Sequence, residues 1–285
     1  MLAGWMLPVA LLIFEGSNPV KISAPQPFPS ETLVAKFWQE QPAYDGQAEG
    51  DLLDLANRAR RRSDAPPLEM QDCLTLAAQK HAAAMAAHRE ISHQFPGEAG
   101  LAQRLAATCS FPVDEAAENV GLSDSSDRMH DQFMHSRPHR ANLLYPSYNM
   151  VGIGVARSGA QLYVVEDFVH GLPQRSAQNA GSLVAASVAK TREQAGQPRL
   201  EIRDGHALEA GACALARADS LRPAATESSG ARYILRFTSM DPQNLPAAAA
   251  KAIDDPATRA FAAGACFGRT PTYPNGAYWI VLALY

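Results

Sequence analysis

The 285-residue chain lacks an excess of either charge: 29 Asp and Glu against 25 Lys and Arg leave a formal net charge of −4. That balance offers no footprint for a polyanion, so a nucleic-acid partner is not expected. The one tight basic run, Arg58, Arg60, Arg61 and Arg62, reads as the solvated end of a helix. Long apolar stretches are also missing. The longest candidate, Leu7-Pro-Val-Ala-Leu-Leu-Ile-Phe14, is too short to span a bilayer and has the length of a signal-peptide h-region. No Lys or Arg precedes it, and a buried N-terminal strand is the other reading. Cysteine is scarce, at four residues, and none are spaced as Cys-x-x-Cys. That argues against a structural zinc site or a thioredoxin-like motif. A Gly-x-Ser-x-Gly nucleophile elbow is absent. His88-Arg-Glu-Ile-Ser-His93 is not a zincin motif, because its histidines are five apart and Glu90 is displaced. On a helix those imidazoles would point in different directions.

What is present supports a folded, two-part chain. Hydrophobic residues make up 47% and charged residues 19%, which is enough to bury a core. Residues 1–24 form the signal-like segment and 25–49 a Pro-rich linker. Helical spacing starts at Asp51 with Leu52, Leu53, Leu55 and Ala56, and Ser63-Asp-Ala-Pro-Pro67 ends that helix. A second helix is expected from Asp72, as its N-cap, to His88, and a third over about 124–134. Val151–Val155 and Leu162–Val165 read as strands of a hairpin turning at 157–160.

The second half echoes the first. At one offset of 132 residues, Arg60 falls on Arg192, Pro66 on Pro198, Leu68 on Leu200, Glu69 on Glu201 and Asp72 on Asp204. Without a gap, Leu76 then meets Leu208 and Ala82 meets Ala214. Residues 182–285 are therefore expected to be a degenerate copy of the scaffold in 50–170, with a linker at 171–181; an unrelated small α+β domain is the alternative. The cysteines divide evenly between the halves, which predicts Cys73–Cys109 and Cys213–Cys266 disulfides in an exported protein. Secretion, or retention in a periplasm or cell envelope, is the matching location.

Six of the eight histidines lie between positions 81 and 139. Around them run Pro67-Leu-Glu-Met-Gln-Asp72, Ser92-His93, Ala117-Glu118-Asn119, Ser136-Arg-Pro-His139-Arg140-Ala-Asn142-Leu-Leu144 and Val151-Gly-Ile-Gly154. In order and spacing these segments resemble bacterial CAP/SCP-PR1 domains (cysteine-rich secretory protein, antigen 5, pathogenesis-related 1) across about 120 residues. The resemblance implies an α+β fold, a three-layer α–β–α sandwich, with a cleft holding His93, Glu118 and His139. Two imidazoles and a carboxylate suit zinc or another divalent cation, with His93 and His139 as ligands, or a metal-free hydrogen-bonded network. Arg140 and Asn142 are expected in structural roles. Ala117 replaces the family's usual Gly, and Phe133 its usual Trp. The second acid of eukaryotic members has no counterpart near Ser136, where His135 is a neighbouring polar group.

Three functions follow as expectations. The first is a secreted binding protein for a lipid, peptide or cell-surface ligand. The second is a metal-assisted hydrolase or peptidase with Glu118 as general base. The third is a structural extracellular module.

Overall fold

The computed structural model describes residues 43–222 and 230–285. The signal-like segment, with Leu7–Phe14, lies outside the described residues. No helix among the described residues is long and apolar enough to cross a membrane.

The first half begins earlier than its sequence pattern suggests. Strand β1 (Ala43–Tyr44) and helix α1 (Gly46–Arg62) occupy the end of the expected linker. Asp45 caps α1 by accepting from Ala48 N–H at 3.1 Å, a bond that stands in for the missing helical partner there. Next come β2 (Glu69–Met70), α2 (Asp72–His88), α3 (Leu101–Thr108), β3 (Val113–Ser123), α4 (Ser126–His135), α5 (Arg137–Leu144), β4 (Met150–Ser158) and β5 (Gln161–Gly171). The sheet runs β1-β4-β5-β3, with β2 alongside the other end of β4. The expected hairpin is present, with Ser158 opposite Gln161 and Gly159 at φ +60 in the turn. Gln71, not Asp72, is the N-cap of α2, and it makes no side-chain capping bond.

Strand alternation sorts the sheet into two faces. Ile153, Val155, Leu162, Val164 and Phe168 pack with Leu52 and Ala56 of α1, Met129 and Phe133 of α4, and Leu143 of α5. Ala156, Tyr163 and Val165 face Ala78, Ala82 and Met85 of α2 on the other side. These are the three layers of the expected α–β–α sandwich. Gly152 and Gly154 lie on the α2 face, and a Cβ at either would collide with the α2 backbone at Leu74 or at Ala78 and Gln79. The Gly-Ile-Gly spacing therefore sets how closely α2 can approach β4.

Arg60 corrects the expectation for the basic run. Arg58, Arg61 and Arg62 are exposed, but Arg60 is completely buried. Its guanidinium donates to the carbonyls of Pro66 (2.6 Å), Leu143 (2.9 Å), Tyr145 (3.0 Å) and Tyr148 (2.8 Å). Periodicity could not separate it from its neighbours, because three of its four partners arrive from positions more than 80 residues away.

The second half contains α6 (Ala177–Gln194), β6 (Glu201–Ile202), α7 (His206–Ala218), β7 (Tyr233–Ser239), α8 (Ala247–Asp254), β8 (Ala260–Gly268) and β9 (Ala277–Leu284). Helix α6 starts inside the expected 171–181 linker. Strand order is β6-β8-β9-β7, matching β2-β4-β5-β3, and β6 is parallel to β8 as β2 is to β4. Helices α6 and α8 cover one face, and α7 covers the other. Arg192 donates to Pro198, Ile253, Asp255 and Thr258 carbonyls, the pattern of Arg60.

The ungapped alignment slips within α7. Gly264 stands on β8 where Gly154 stands on β4, yet it faces Leu208 and Glu209, so these match Ala78 and Gln79 rather than Leu76 and Ala77. Arg203–Gly205 run outside a helix, whereas α2 begins directly after Gln71. Extended residues advance about 3.3 Å each against 1.5 Å in a helix, so fewer residues reach the same height. Both expected disulfides are present, Cys73–Cys109 and Cys213–Cys266.

Candidate functional site

Glu118 lies on β3, opposite Asp167 on β5, and is 8% exposed. Each of its oxygens has a partner. Oε1 lies 2.9 Å from His93 Nδ1, and Oε2 accepts from Arg104 of α3. Arg104 also donates to the carbonyls of His93 (3.1 Å) and Ala99 (3.2 Å), so one guanidinium ties the His93 loop to the strand. The His93 side chain is 62% exposed. With Nδ1 turned towards Glu118, its Nε2 has no hydrogen-bond partner among the described residues.

The loop carrying His93 is held from behind by His81 of α2, which is fully buried. His81 Nδ1 lies 2.6 Å from Glu98, and Nε2 lies 2.8 Å from the Ser92 carbonyl. Burial pushes the Glu98 carboxyl up, but the Phe95 N–H, His81 and Arg104 outweigh it and hold Glu98 below the usual range.

His139 sits on α5, edge-on to Phe133 with ring centroids 5.1 Å apart. Among the described residues no hydrogen bond or ion pair joins it to Glu118; its carbonyl accepts from Asn119 at 3.2 Å. Burial, and then the charge of His93, lower its pKa. Asn142 donates to Asn119 Oδ1 at 3.0 Å, which fastens α5 to β3. Arg140 is exposed. His135 accompanies α4 at the surface, with Nδ1 2.7 Å from the Asp131 carbonyl.

The sequence reading missed the residues behind the site. His81 was counted in the histidine cluster without a role at the site, and Arg104, Glu166 and Asp167, the last two at the centre of β5, were not singled out. Both acids are fully buried. Burial, then the charge of Glu118, drives Asp167 well above the carboxylate range. Burial raises Glu166 to about 7 against a single hydrogen bond from Asn119. Glu166 Oε1 has no partner among the described residues, which suits a carboxyl that keeps its proton. The available signal was an acidic pair inside the apolar run Leu162-Tyr-Val-Val-Glu-Asp-Phe-Val169.

This arrangement does not fit a divalent cation. Among the described residues no group of three or more His, Cys, Asp or Glu is placed to hold one. Arg104 also puts a positive charge where the metal would need the carboxylate. A polar groove of about 450 Å³, lined by Asp45, Asp51, Asp54, Asp124, Asp127 and Arg157, lies away from His93.

A three-layer α–β–α sandwich presenting a carboxylate-anchored histidine defines the class. Residues 53–168 match the cysteine-rich secretory protein (CAP) family, and this segment belongs to it. The chain is 24% identical over 113 residues to the uncharacterized protein YkwD of Bacillus subtilis (strain 168), across 39% of this chain. It spans 44% of the length of that relative. An extracellular protein containing an SCP domain from Bacillus anthracis is 23% identical, with a TM-score of 0.40 and coverage of 44% of this chain and 41% of that one. The crystal structure of Na-ASP-1 is similar over 84% of this chain and 89% of its own, at 9% identity and a TM-score of 0.51. That likeness concerns the fold, and it extends beyond the first half.

Proposed function

We infer that residues 50–170 form a ligand-binding module that works outside the cytosol, with the ligand seated against His93, Glu118 and His139. Residues 182–285 are a diverged copy of the scaffold that supports it. The observation that carries the binding reading is the engagement of both Glu118 oxygens by His93 and Arg104. A carboxylate so engaged orients the imidazole, and the Arg104 guanidinium on it disfavours taking up a proton, which favours recognition over general-base hydrolysis. The Nε2 of the exposed His93 side chain is then a fixed hydrogen-bonding group for a lipid headgroup, a peptide or a cell-surface component. Two disulfides suit an oxidising compartment, secreted or in a cell envelope. The supporting role of the second half rests on its shared strand order and on Arg192, together with its lack of a histidine beyond the exposed His206.

The test is a binding panel of anionic and zwitterionic phospholipid vesicles, peptidoglycan fragments and a random peptide library. Wild type, His93→Ala and His139→Ala are compared on it. One class is expected to bind saturably to wild type and at least tenfold more weakly to His93→Ala. Turnover of casein that disappears in Glu118→Gln would instead establish the hydrolase.

A further inference from the structure

Asn57, on α1, closes the turn that leads into β2. Its side-chain amide donates to the Leu68 carbonyl at 3.0 Å and accepts from the Leu68 N–H at 2.7 Å. One primary amide thus satisfies both backbone groups of one residue, and Leu68 is left only 4% exposed.

The second half builds the same frame without that closure. Arg192 donates to the Pro198 carbonyl as Arg60 does to Pro66, and Glu201–Ile202 pair with β8 as Glu69–Met70 pair with β4. Asn57 lies three residues before its arginine and Leu68 two after its proline, so their counterparts are Ala189 and Leu200. Ala189 carries no amide, and the Leu200 N–H and C=O have no partner among the described residues. At the corresponding turn the second half has a cavity of about 520 Å³, whose lining includes Ala189, Glu193, Arg199, Leu200, Ile202 and Phe261. Ile202 is 69% exposed there. The volume falls within the range of small-molecule sites, about 300–1,000 Å³.

We propose that this cavity binds a small molecule bearing a primary carboxamide on a short apolar chain. The carboxamide makes to Leu200 the two hydrogen bonds that Asn57 makes to Leu68, and the chain lies along Ile202. A carboxylate of the same shape has two acceptors and no donor, so even beside Arg199 it cannot make the bond to the Leu200 carbonyl. The site rests on the equivalence of the two turns and not on His93, so its failure leaves the binding reading above untouched.

Hexanamide and hexanoate are the matched probes, added to the ¹⁵N-labelled full chain. The Leu200 amide resonance is expected to shift saturably with hexanamide and to stay in place with hexanoate. Ala189→Asn supplies from within the two hydrogen bonds that Asn57 makes to Leu68, so the shift disappears while Tm rises. Asn57→Ala opens the first-half turn, and the Leu68 amide then responds to hexanamide. The wild-type comparison decides the matter even if a variant folds poorly. A Leu200 resonance that ignores hexanamide, or follows hexanoate equally, overturns the proposal, as does a response that survives in folded Ala189→Asn.

Discussion

Arg60 and Arg192 serve their two halves identically, each donating from Nε to a proline carbonyl six residues ahead and from its terminal nitrogens to three later carbonyls. Both are buried, at 0% and 2% exposure. Each buried carbonyl that loses such a donor costs about 1–3 kcal/mol, so Arg60→Met should lower stability by at least about 3 kcal/mol. Arg60→Lys should recover less than half of that, because an ammonium cannot reproduce the planar fork. Urea midpoints measure both. A loss of under about 1 kcal/mol for Arg60→Met would show that the turn is held by other contacts.

Arg104 and Glu118 form a buried ion pair, and removing the cation strands the acid. Arg104→Met is expected to cost about 3–5 kcal/mol. The double change Arg104→Met with Glu118→Gln should cost clearly less than the sum of the single changes, since the stranded charge is gone. A double-mutant cycle on urea unfolding measures this, and strict additivity would refute the coupling.

Glu166 makes stability depend on pH in a stated direction. Its folded pKa is raised, from 4.5 to about 7. Below the lower value both states hold the proton, and the folded state keeps its full advantage. Between the two values only the unfolded chain ionises, so stability falls as pH rises and the loss is complete above about 7. The size is about 3 kcal/mol, from 1.36 kcal/mol per pH unit of difference. Glu166→Gln should flatten this slope and be more stable than wild type at pH 8. Denaturation midpoints from pH 4 to 8 give the answer; a wild-type slope unchanged in Glu166→Gln counts against it.

Zinc should leave the melting curve where it is. With Arg104 on Glu118 and no cluster of three ligating residues among those described, excess zinc is expected to raise Tm in neither wild type nor His93→Ala. A rise in wild type that His93→Ala removes would restore the metal reading.

The Cys73–Cys109 bond ties the end of α3, the helix that carries Arg104, to the start of α2. Replacing both cysteines with alanine should cost about 2–4 kcal/mol. Faster hydrogen exchange should follow over 101–108 and the His93 loop. Unchanged exchange there would separate the disulfide from the site.

Much of this protein was legible in its residues because the signals are local. Apolar spacing located α2 and the β4–β5 hairpin, and an even division of cysteines between the halves indicated their pairing. His93, Glu118 and His139 stood out because short motifs surround them in a recognisable order. The constant offset from Arg60 and Arg192 through Glu69 and Glu201 held because a turn and a short strand follow each other directly.

The tertiary structure decided what depends on partners distant in sequence. It buried Arg60 within a run of exposed arginines, since only folding brings Leu143, Tyr145 and Tyr148 to that helix end. It placed Arg104 on Glu118, and it brought the His93 loop to that carboxylate while leaving His139 on α5. The same holds for Glu166 and Asp167, whose raised pKa values come from layers packed over both faces of β5. The opening sequence pattern therefore determined the elements and their order. The charge balance within the site was set by desolvation and by long-range contacts that no local pattern encodes.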